Sequence, residues 1–301
     1  MLSTIALTAL LVAGSNATPT KRSNGTSSTC KPGFLNTVFN TGSAAHASWP
    51  DPIWSTLTSY GIDNLITFTL LPINQNPNFD APAGTPARDN AVIEAARIPI
   101  VMNPNDTNNA QALVASANAP PYLELFNEPD FSYGGVTGTV DPVAAAQNLS
   151  ELLTMPHNKT KYISPALAFD QNWLPTFFQN CNNCLSQFDI ISMHLYQPDV
   201  DSAISAITAM HTSYPDKKIW ITEFGPYNGG PSGCTFDQAG VVNYAQTIVP
   251  KINALDYVEK IFWNCGDAEA ADVCNPSLTN EDGSATDVLK GLGGACGFTG
   301  A

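Results

Sequence analysis

Charged residues are scarce in this chain of 301 residues, and basic residues are the scarcest among them. Only 13% of the residues are charged, and 12 Lys and Arg stand against 26 Asp and Glu, which gives a net charge of −14. A chain this acidic neutralises phosphates poorly, so the composition disfavours nucleic acid and anionic membrane surfaces as partners. The 23 Pro and 21 Gly are too few for a collagen-like or low-complexity chain.

Several common catalytic motifs are missing from the sequence. The four His, at positions 46, 157, 194 and 211, show no His-Glu-x-x-His or related ligand spacing. No Gly-x-Ser-x-Gly elbow occurs, and no glycine-rich stretch carries the lysine of a phosphate loop. We therefore expect no metal site, no nucleotide and no other cofactor.

The N-terminus predicts export. Its apolar stretch is far shorter than the roughly 20 residues of a membrane span, and small residues follow at Ser15 and Ala17. This pattern is typical of a signal peptide over residues 1–17. The polar residues 18–29 predict a flexible segment or propeptide, with Lys21-Arg22 as a candidate second processing point. Residues 30–301 would then form the mature domain.

Cysteines and glycosylation signals agree with a secreted protein of the extracellular space or cell wall. The seven cysteines leave at least one unpaired, and Cys181 with Cys184 favours a local disulfide. Cys30 and Cys296 are candidates to tie the termini, whereas the pairing of Cys234, Cys265 and Cys274 stays open. Asn-x-Ser/Thr acceptor sites occur at Asn24, Asn105, Asn148 and Asn158.

Eight short apolar runs alternate with polar loops and helical patterns, and successive runs begin 24 to 41 residues apart. Eight such units over about 270 residues predict a single (β/α)8 TIM barrel. An open doubly wound sheet is the alternative, and the absence of a glycine-rich loop after the first run disfavours it. The runs are Phe34–Phe39, Leu65–Leu70, Ile98–Met102, Tyr122–Phe126, Lys161–Ala166, Phe188–Leu195, Ile219–Thr222 and Lys260–Trp263.

Two glutamates follow apolar runs directly. Glu128 comes after the fourth run and Glu223 after the seventh, and both precede a proline within three residues. Catalytic groups of such barrels lie at the C-terminal ends of the strands, so we expect both carboxyl groups to face one cleft. A carboxyl pair suits cleavage of a glycosidic bond, because one group carries a proton while the other attacks or polarises.

The same segments carry a family resemblance. Asn127-Glu128-Pro129 and Thr222–Gly225 resemble the signature of glycoside hydrolase clan A. The closer resemblance is to glycoside hydrolase family 128, which contains fungal and bacterial endo-β-1,3-glucanases; it is carried by Leu123–Asp130, Met193–Tyr196 and Ile219–Gly225. The resemblance implies a retaining mechanism, with Glu128 as the general acid/base and Glu223 as the nucleophile.

Further site residues follow from these motifs. The resemblance implies that Asn127 binds the sugar 2-hydroxyl, that Tyr196 donates a hydrogen bond to the nucleophile and that His194 is a cleft residue. Trp263 ends the eighth run, and we expect it to form an apolar floor under the sugar. The loop over Leu71–Arg88 is expected to form a cleft wall. Candidates for stacking on glucose rings are Trp49, Phe131, Tyr133 and Tyr227.

The sequence therefore predicts a monomeric, secreted endo-β-1,3-glucanase that acts on β-glucan. The catalytic pair does not separate this activity from that of another clan A hydrolase, such as a β-1,4-glucanase or a β-mannanase. A non-catalytic glucan-binding protein on a barrel scaffold is the alternative from another class. The pair Glu128 and Glu223 argues against it, because a binding protein needs aromatic platforms but no paired carboxylates.

Overall fold

The structure is a computed structural model that describes residues 29–39, 51–72, 90–132, 139–157, 159–226, 235–264, 276–280 and 282–300. Its eight strands are all parallel and form a closed barrel in chain order. The strands are β1 Leu35–Phe39, β2 Leu65–Thr67, β3 Arg97–Val101, β4 Tyr122–Leu125, β5 Lys161–Ile163, β6 Phe188–Tyr196, β7 Lys218–Gly225 and β8 Val258–Asn264.

An α-helix follows each strand or precedes the next one in the described part of the chain. The helices are α1 Asp51–Ser59, α2 Asn90–Ala96, α3 Thr107–Ala115, α4 Pro142–Thr154, α5 Trp173–Asn180, α6 Val200–Ser213, α7 Gln238–Asn253 and α8 Asp287–Ala295. Barrel closure is direct, because Leu35 pairs with Ile261 and Val38 pairs with Asn264. The predicted (β/α)8 barrel is confirmed, and the open sheet is excluded.

Local sequence signals set several helix ends. Asp141 accepts hydrogen bonds from the backbone N–H groups of Val143 and Ala144 at 3.0 Å, and Pro142 occupies the first turn of α4. Gly61 follows α1 with φ +87°, and a Cβ atom there would lie 2.3 Å from the ring of Phe298. Only glycine fits this turn without strain or a clash.

The barrel interior holds an apolar layer, and the polar residues that concern function lie above it. Leu123 and Leu125 of β4 face the outer layer between strands and helices, whereas Glu124 between them faces inward. Strands β6, β7 and β8 also carry polar side chains that point into the barrel. The inner apolar layer consists of Val38, Ile66, Ile98, Ile100, Ile163, Ile190, Trp220 and Phe262, all buried.

Two disulfides join described cysteines. Cys30 bonds to Cys296 and so connects the segment before β1 to the end of α8. Cys181 bonds to Cys184 after α5. The favoured Cys181–Cys184 bond and the candidate Cys30–Cys296 bond are both present. The other three cysteines, the signal peptide and Lys21-Arg22 lie outside the described residues. Within those residues, no helix is both long and apolar enough to span a bilayer.

Candidate active site

Glu128 stands on an unusual piece of backbone just beyond β4. Phe126 and Glu128 both have positive φ angles, of 65° and 43°, which cost non-glycine residues roughly 1–3 kcal/mol each. Neighbouring segments hold this one in place, since the N–H of Phe126 donates to the carbonyl of Val101 on β3 and that of Glu128 donates to the carbonyl of Ala166, beyond β5, both at 2.9 Å. The side chain of Glu128 is 19% exposed and faces the C-terminal end of the barrel.

Glu223 lies within β7 rather than after it, because the strand continues to Gly225. One extra residue interrupts the pairing there: Ile221 and Phe224 of β7 face Ile261 and Trp263 of β8, three residues against two. Such a bulge lets two successive side chains point to the same face. The predicted end of the seventh strand was three residues too early. The bulge directs Glu223 into the barrel.

His194 connects the two glutamates. Its Nδ1 lies 2.7 Å from Oε1 of Glu128, and its Nε2 lies 3.7 Å from Oε1 of Glu223. One carboxylate oxygen of Glu128 and one of Glu223 lie within 4.8 Å of each other. This distance is shorter than the roughly 6.5–9.5 Å that leaves room for a water molecule between two catalytic carboxyl groups.

Two donors hold Oε2 of Glu223. Tyr196 donates its phenolic hydrogen to this oxygen, and Nδ2 of Asn264 lies 3.2 Å away. Asn264 also hydrogen-bonds to the hydroxyl of Tyr196, so the three groups form a closed triangle. Sequence reasoning did not single out Asn264, although its place as the last residue of the eighth strand was available as a signal.

Opposing influences act on the charges at this site. Burial raises the pKa of Glu223, as does the charge of Glu128, whereas His194 and the hydrogen bonds from Tyr196 and Asn264 lower it; the net shift is upward. Burial lowers the pKa of His194, but Glu223, Glu128 and Glu124 outweigh it and raise that pKa to about 9. The imidazole therefore carries a proton at neutral pH and stands between two acidic groups.

The same three residues form the one described group with enough ligand atoms, close enough together, for a metal ion. A metal ion bound here would be coordinated by both carboxylates and by a single nitrogen of the imidazole, so both carboxylates would lie near that nitrogen. Here Nδ1 faces Glu128 and Nε2 faces Glu223, so the ring bridges them with opposite nitrogens. This geometry favours a chain of hydrogen bonds over a metal site.

Trp263 does not lie where we expected it. Its side chain is buried among the outer residues Phe224 and Tyr244, and Nε1 donates to the carbonyl of Pro276 at 2.7 Å. Side chains alternate along a strand, so Asn264 faces the site and Trp263 faces the helices. The predicted sugar floor at Trp263 is wrong. His194, expected as a cleft residue, has a side chain that is only 1% exposed between the two glutamates.

Other candidates lie around the rim. Oδ1 of Asn127 is buried and has no hydrogen-bond partner in the part of the chain that the structure describes. Phe131 packs edge-to-face against Phe169 at 5.3 Å, and Phe169, which the sequence did not suggest, is 67% exposed. Trp49, Tyr133, Tyr227 and nearly all of the predicted loop wall lie outside the described residues.

Paired carboxylates at the C-terminal end of a parallel barrel define a site of the glycoside hydrolase class. Residues 78–291 match the model of the glycosyl hydrolase catalytic core, and the chain belongs to this family. No curated protein matches the chain.

Solved structures of glycoside hydrolase family 128 share the fold, which confirms the resemblance seen in the motifs. A subgroup V exo-β-1,3-glucanase from Cryptococcus neoformans is 21% identical, with a TM-score of 0.63 over 87% of this chain and 99% of that one. A subgroup I endo-β-1,3-glucanase from Amycolatopsis mediterranei, solved with laminaritriose, is 17% identical, with the same TM-score and coverage. A subgroup VII oligosaccharide-binding protein from Trichoderma gamsii is 21% identical, with a TM-score of 0.58 over 87% of this chain and 93% of that one.

Proposed function

We propose that the protein is a secreted, retaining endo-β-1,3-glucanase, with Glu128 as general acid/base and Glu223 as nucleophile. The observation that carries this proposal is the approach of the two carboxylates to within 4.8 Å at the open end of the barrel. Retaining glycosidases place their carboxyl groups about 5–5.5 Å apart, because one of them attacks the sugar directly. The similar structures that bind laminari-oligosaccharides support β-1,3-glucan as the substrate class.

The reaction would proceed in two displacements. Glu223 attacks the anomeric carbon while Glu128 gives its proton to the glycosidic oxygen, so the carbon–oxygen bond breaks and a glycosyl ester forms. Glu128, now ionised, then removes a proton from water, and the resulting attack on the anomeric carbon releases Glu223. Tyr196 and Asn264 hold Oε2 of Glu223, which leaves Oε1 as the attacking oxygen.

Three neighbours would keep Glu223 ionised despite its burial. The charge of His194 and the hydrogen bonds from Tyr196 and Asn264 all lower the pKa of this carboxyl. The buried, unpartnered Oδ1 of Asn127 would accept a hydrogen bond from the sugar 2-hydroxyl. Phe131 and Phe169 would offer an aromatic surface to a glucose ring at the rim.

A non-catalytic oligosaccharide-binding protein is the second candidate, because the Trichoderma gamsii protein shares this fold. The pair of glutamates and the donors that hold Glu223 favour hydrolysis, since binding alone requires no nucleophile. Another clan A hydrolase remains the alternative within enzymes.

Product analysis on laminarin, carboxymethyl cellulose and mannan, run in parallel, tests the substrate class and the mode of attack. We expect short β-1,3 oligomers of several lengths from laminarin, with the β-anomer formed first in an NMR time course. Release of single sugars alone would indicate attack at chain ends, and products from cellulose or mannan would support the alternative hydrolases. An α-anomer formed first would contradict retention.

The variants Glu128→Gln and Glu223→Gln test the assigned roles on the same substrate. We expect each to lower kcat by at least about 100-fold while laminari-oligosaccharides still bind, because the amide keeps the shape but not the charge or the proton. Glu151→Gln, an exposed position on α4, serves as the matched control. Normal turnover in either active-site variant would remove that residue from its role.

Export is part of the proposal and has its own measurement. Expression of the full chain in a eukaryotic host should place the protein in the medium, with a new N-terminus at Thr18 or beyond Arg22. Asn105 and Asn148 are exposed and so accessible to glycans, which mass spectrometry of the secreted protein would detect. Retention in the cell with Met1 still present would contradict this part.

A further inference from the structure

A third glutamate lies directly beneath the proposed catalytic pair. Glu124 is on β4, four residues before Glu128, and it is fully buried inside the barrel. Its Oε1 accepts hydrogen bonds from the hydroxyl of Thr222 at 3.0 Å and from that of Ser192 at 3.3 Å. Among the described residues, Oε2 has no hydrogen-bond partner. A buried carboxyl group with one unpartnered oxygen is costly and requires an explanation.

The donors to Glu124 belong to the strands that carry the active site. Thr222 immediately precedes Glu223 on the bulge of β7, and Ser192 stands two residues before His194 on β6. Ser192 is itself held, because its hydroxyl also contacts the carbonyl of Ser164 at 2.9 Å. The position of Glu124 is thus tied to the same backbone segments that position His194 and Glu223.

The titratable groups around Glu124 are those of the active site. His194 from β6 and Glu223 from β7 act on it electrostatically, and Glu128 follows it by four residues along the chain. On the neighbouring strands β3 and β5, its partners are the apolar Ile100 and Ile163. Burial raises the pKa of Glu124 to about 7, with a further upward contribution from Glu223, while His194, Thr222 and Ser192 act downward.

We propose that Glu124 is a positioning residue whose charge controls the protonation of His194 and of Glu223 without touching the substrate. When Glu124 is ionised, its negative charge holds the proton on His194 and balances that positive charge next to Glu128. When Glu124 is protonated, it is a neutral hydrogen-bonding group under the cleft. The link to catalysis rests on the proposed function, but the link to His194 does not.

An NMR titration of His194 in the resting protein tests the electrical link without substrate. The variant His194→Asn identifies the signal of His194 among those of the four histidines. We expect Glu124→Gln to lower the pKa of His194 by about one unit, since a nearby negative charge is lost. Glu151→Gln on the surface of α4 should leave it unchanged. An unaltered His194 titration in Glu124→Gln would overturn the proposal.

Stability gives a second measurement of the charge on Glu124 itself. A carboxyl group whose pKa is raised in the folded state contributes stability at pH values below its ordinary pKa of 4.5. This contribution is lost as the pH rises to the folded-state pKa of about 7. We therefore expect the urea midpoint of Glu124→Gln, relative to wild type, to increase between pH 4.5 and 7. A constant difference across this range would mean that Glu124 does not titrate there.

Thr222→Val covers the case in which Glu124→Gln does not fold. This variant keeps Glu124 but removes one donor to its Oε1, so the pKa of Glu124 rises and the group stays neutral to higher pH. The titration of His194 should then shift in the same direction as in Glu124→Gln, by a smaller amount. A shift in the opposite direction would contradict the proposal.

The dependence of kcat/KM on pH separates control of charge from a purely structural role. Below about pH 5.5, Glu124 is protonated in wild type, so Glu124→Gln should match it. Above pH 7, wild type carries the negative charge of Glu124 and the variant does not, so the two profiles should separate, with the basic limb of the variant at lower pH by about half a unit or more. A uniform loss at every pH would indicate a structural role. If the protein does not hydrolyse glucan, kcat/KM cannot be measured, but the NMR titration of His194 still tests the proposal.

Discussion

Tyr196 contacts Glu223, the proposed nucleophile, directly. It donates to Oε2 of Glu223 and also contacts Asn264, which donates to the same oxygen. Hydrogen bonds to a charged group contribute about 1.5–3 kcal/mol, and this one favours the ionised carboxylate. Loss of the phenolic hydroxyl would therefore affect both the orientation and the charge of Glu223.

We expect Tyr196→Phe to lower kcat/KM by about 10- to 100-fold. Because the lost hydrogen bond lowers the pKa of Glu223 in the wild type, this pKa should rise further in the variant. As the pH falls, the nucleophile of the variant is then protonated at a higher pH than that of wild type. The acidic limb of the kcat/KM profile should therefore move to higher pH. Kinetics on a soluble laminari-oligosaccharide across pH would measure both effects.

Tyr162→Phe is the matched control for this change. The hydroxyl of Tyr162 donates to the carbonyl of Leu152 on α4, on the outer face of the barrel. Its removal should lower stability while the pH profile of kcat/KM keeps its shape. Profiles of Tyr196→Phe that run parallel to wild type would show that Tyr196 does not govern the charge of Glu223.

Individual site residues differ in how far the sequence could predict them. Glu128, Glu223 and Tyr196 stand in recognisable phrases, and the structure brings them together. Trp263 and Asn264 are neighbours on one strand, and only the register of the closed barrel decides which of them faces inward. The sequence did not single out Glu124, because it lies within a strongly apolar run. No alternation of polar and apolar residues there indicates which side chains face inward.

At the level of strands and loops, the segment after β5 is fixed by one carboxylate. Asp130, just past Glu128, accepts from the N–H of Ala168 at 2.9 Å on one oxygen and from those of Phe169 and Asp170 at 2.7 Å on the other. Both oxygens are used, so the loop that carries the exposed Phe169 is tied to the loop that carries Glu128.

We expect Asp130→Asn to release this connection, because an amide offers one oxygen and its NH2 group would face a backbone donor. The loss should be about 1–2 kcal/mol in urea unfolding, with faster hydrogen exchange at residues 168–170. Asp141→Asn is the control: one oxygen of Asp141 accepts both N–H bonds of α4, and Asn caps helices equally well. Equal losses in the two variants would contradict the argument.

The strands themselves were largely predictable, and their irregularities were not. Every predicted apolar run overlaps one strand, because buried parallel strands read as short apolar stretches. The bulge in β7 follows from pairing with two neighbours, which a single run does not reveal. For the same reason the sequence indicated that Glu223 follows the strand, although it lies within it.

The closed barrel depends on bringing the two ends of the chain together. β1 must pair with β8 across more than 200 residues, and Lys31 contacts Asn253, Leu255 and Val258 near this seam. The Cys30–Cys296 disulfide lies at the same place, and the N–H of Thr29 donates to the carbonyl of Cys296 at 2.9 Å. Early and late parts of the chain are thus joined where the barrel closes.

The two disulfides should contribute unequally to the stability of the barrel. In the chain-entropy description, a cross-link between residues 266 apart restricts the unfolded chain by about 5.6 kcal/mol, and one between residues 3 apart by about 1.6 kcal/mol. We therefore expect Cys30→Ala with Cys296→Ala to lower the free energy of unfolding well beyond Cys181→Ala with Cys184→Ala. Substitution is preferable to reduction, because it leaves the remaining cysteines in their native state. Urea unfolding followed by tryptophan fluorescence gives both values, and an equal loss in the two double variants would mean that closure of the barrel gains nothing from the longer cross-link.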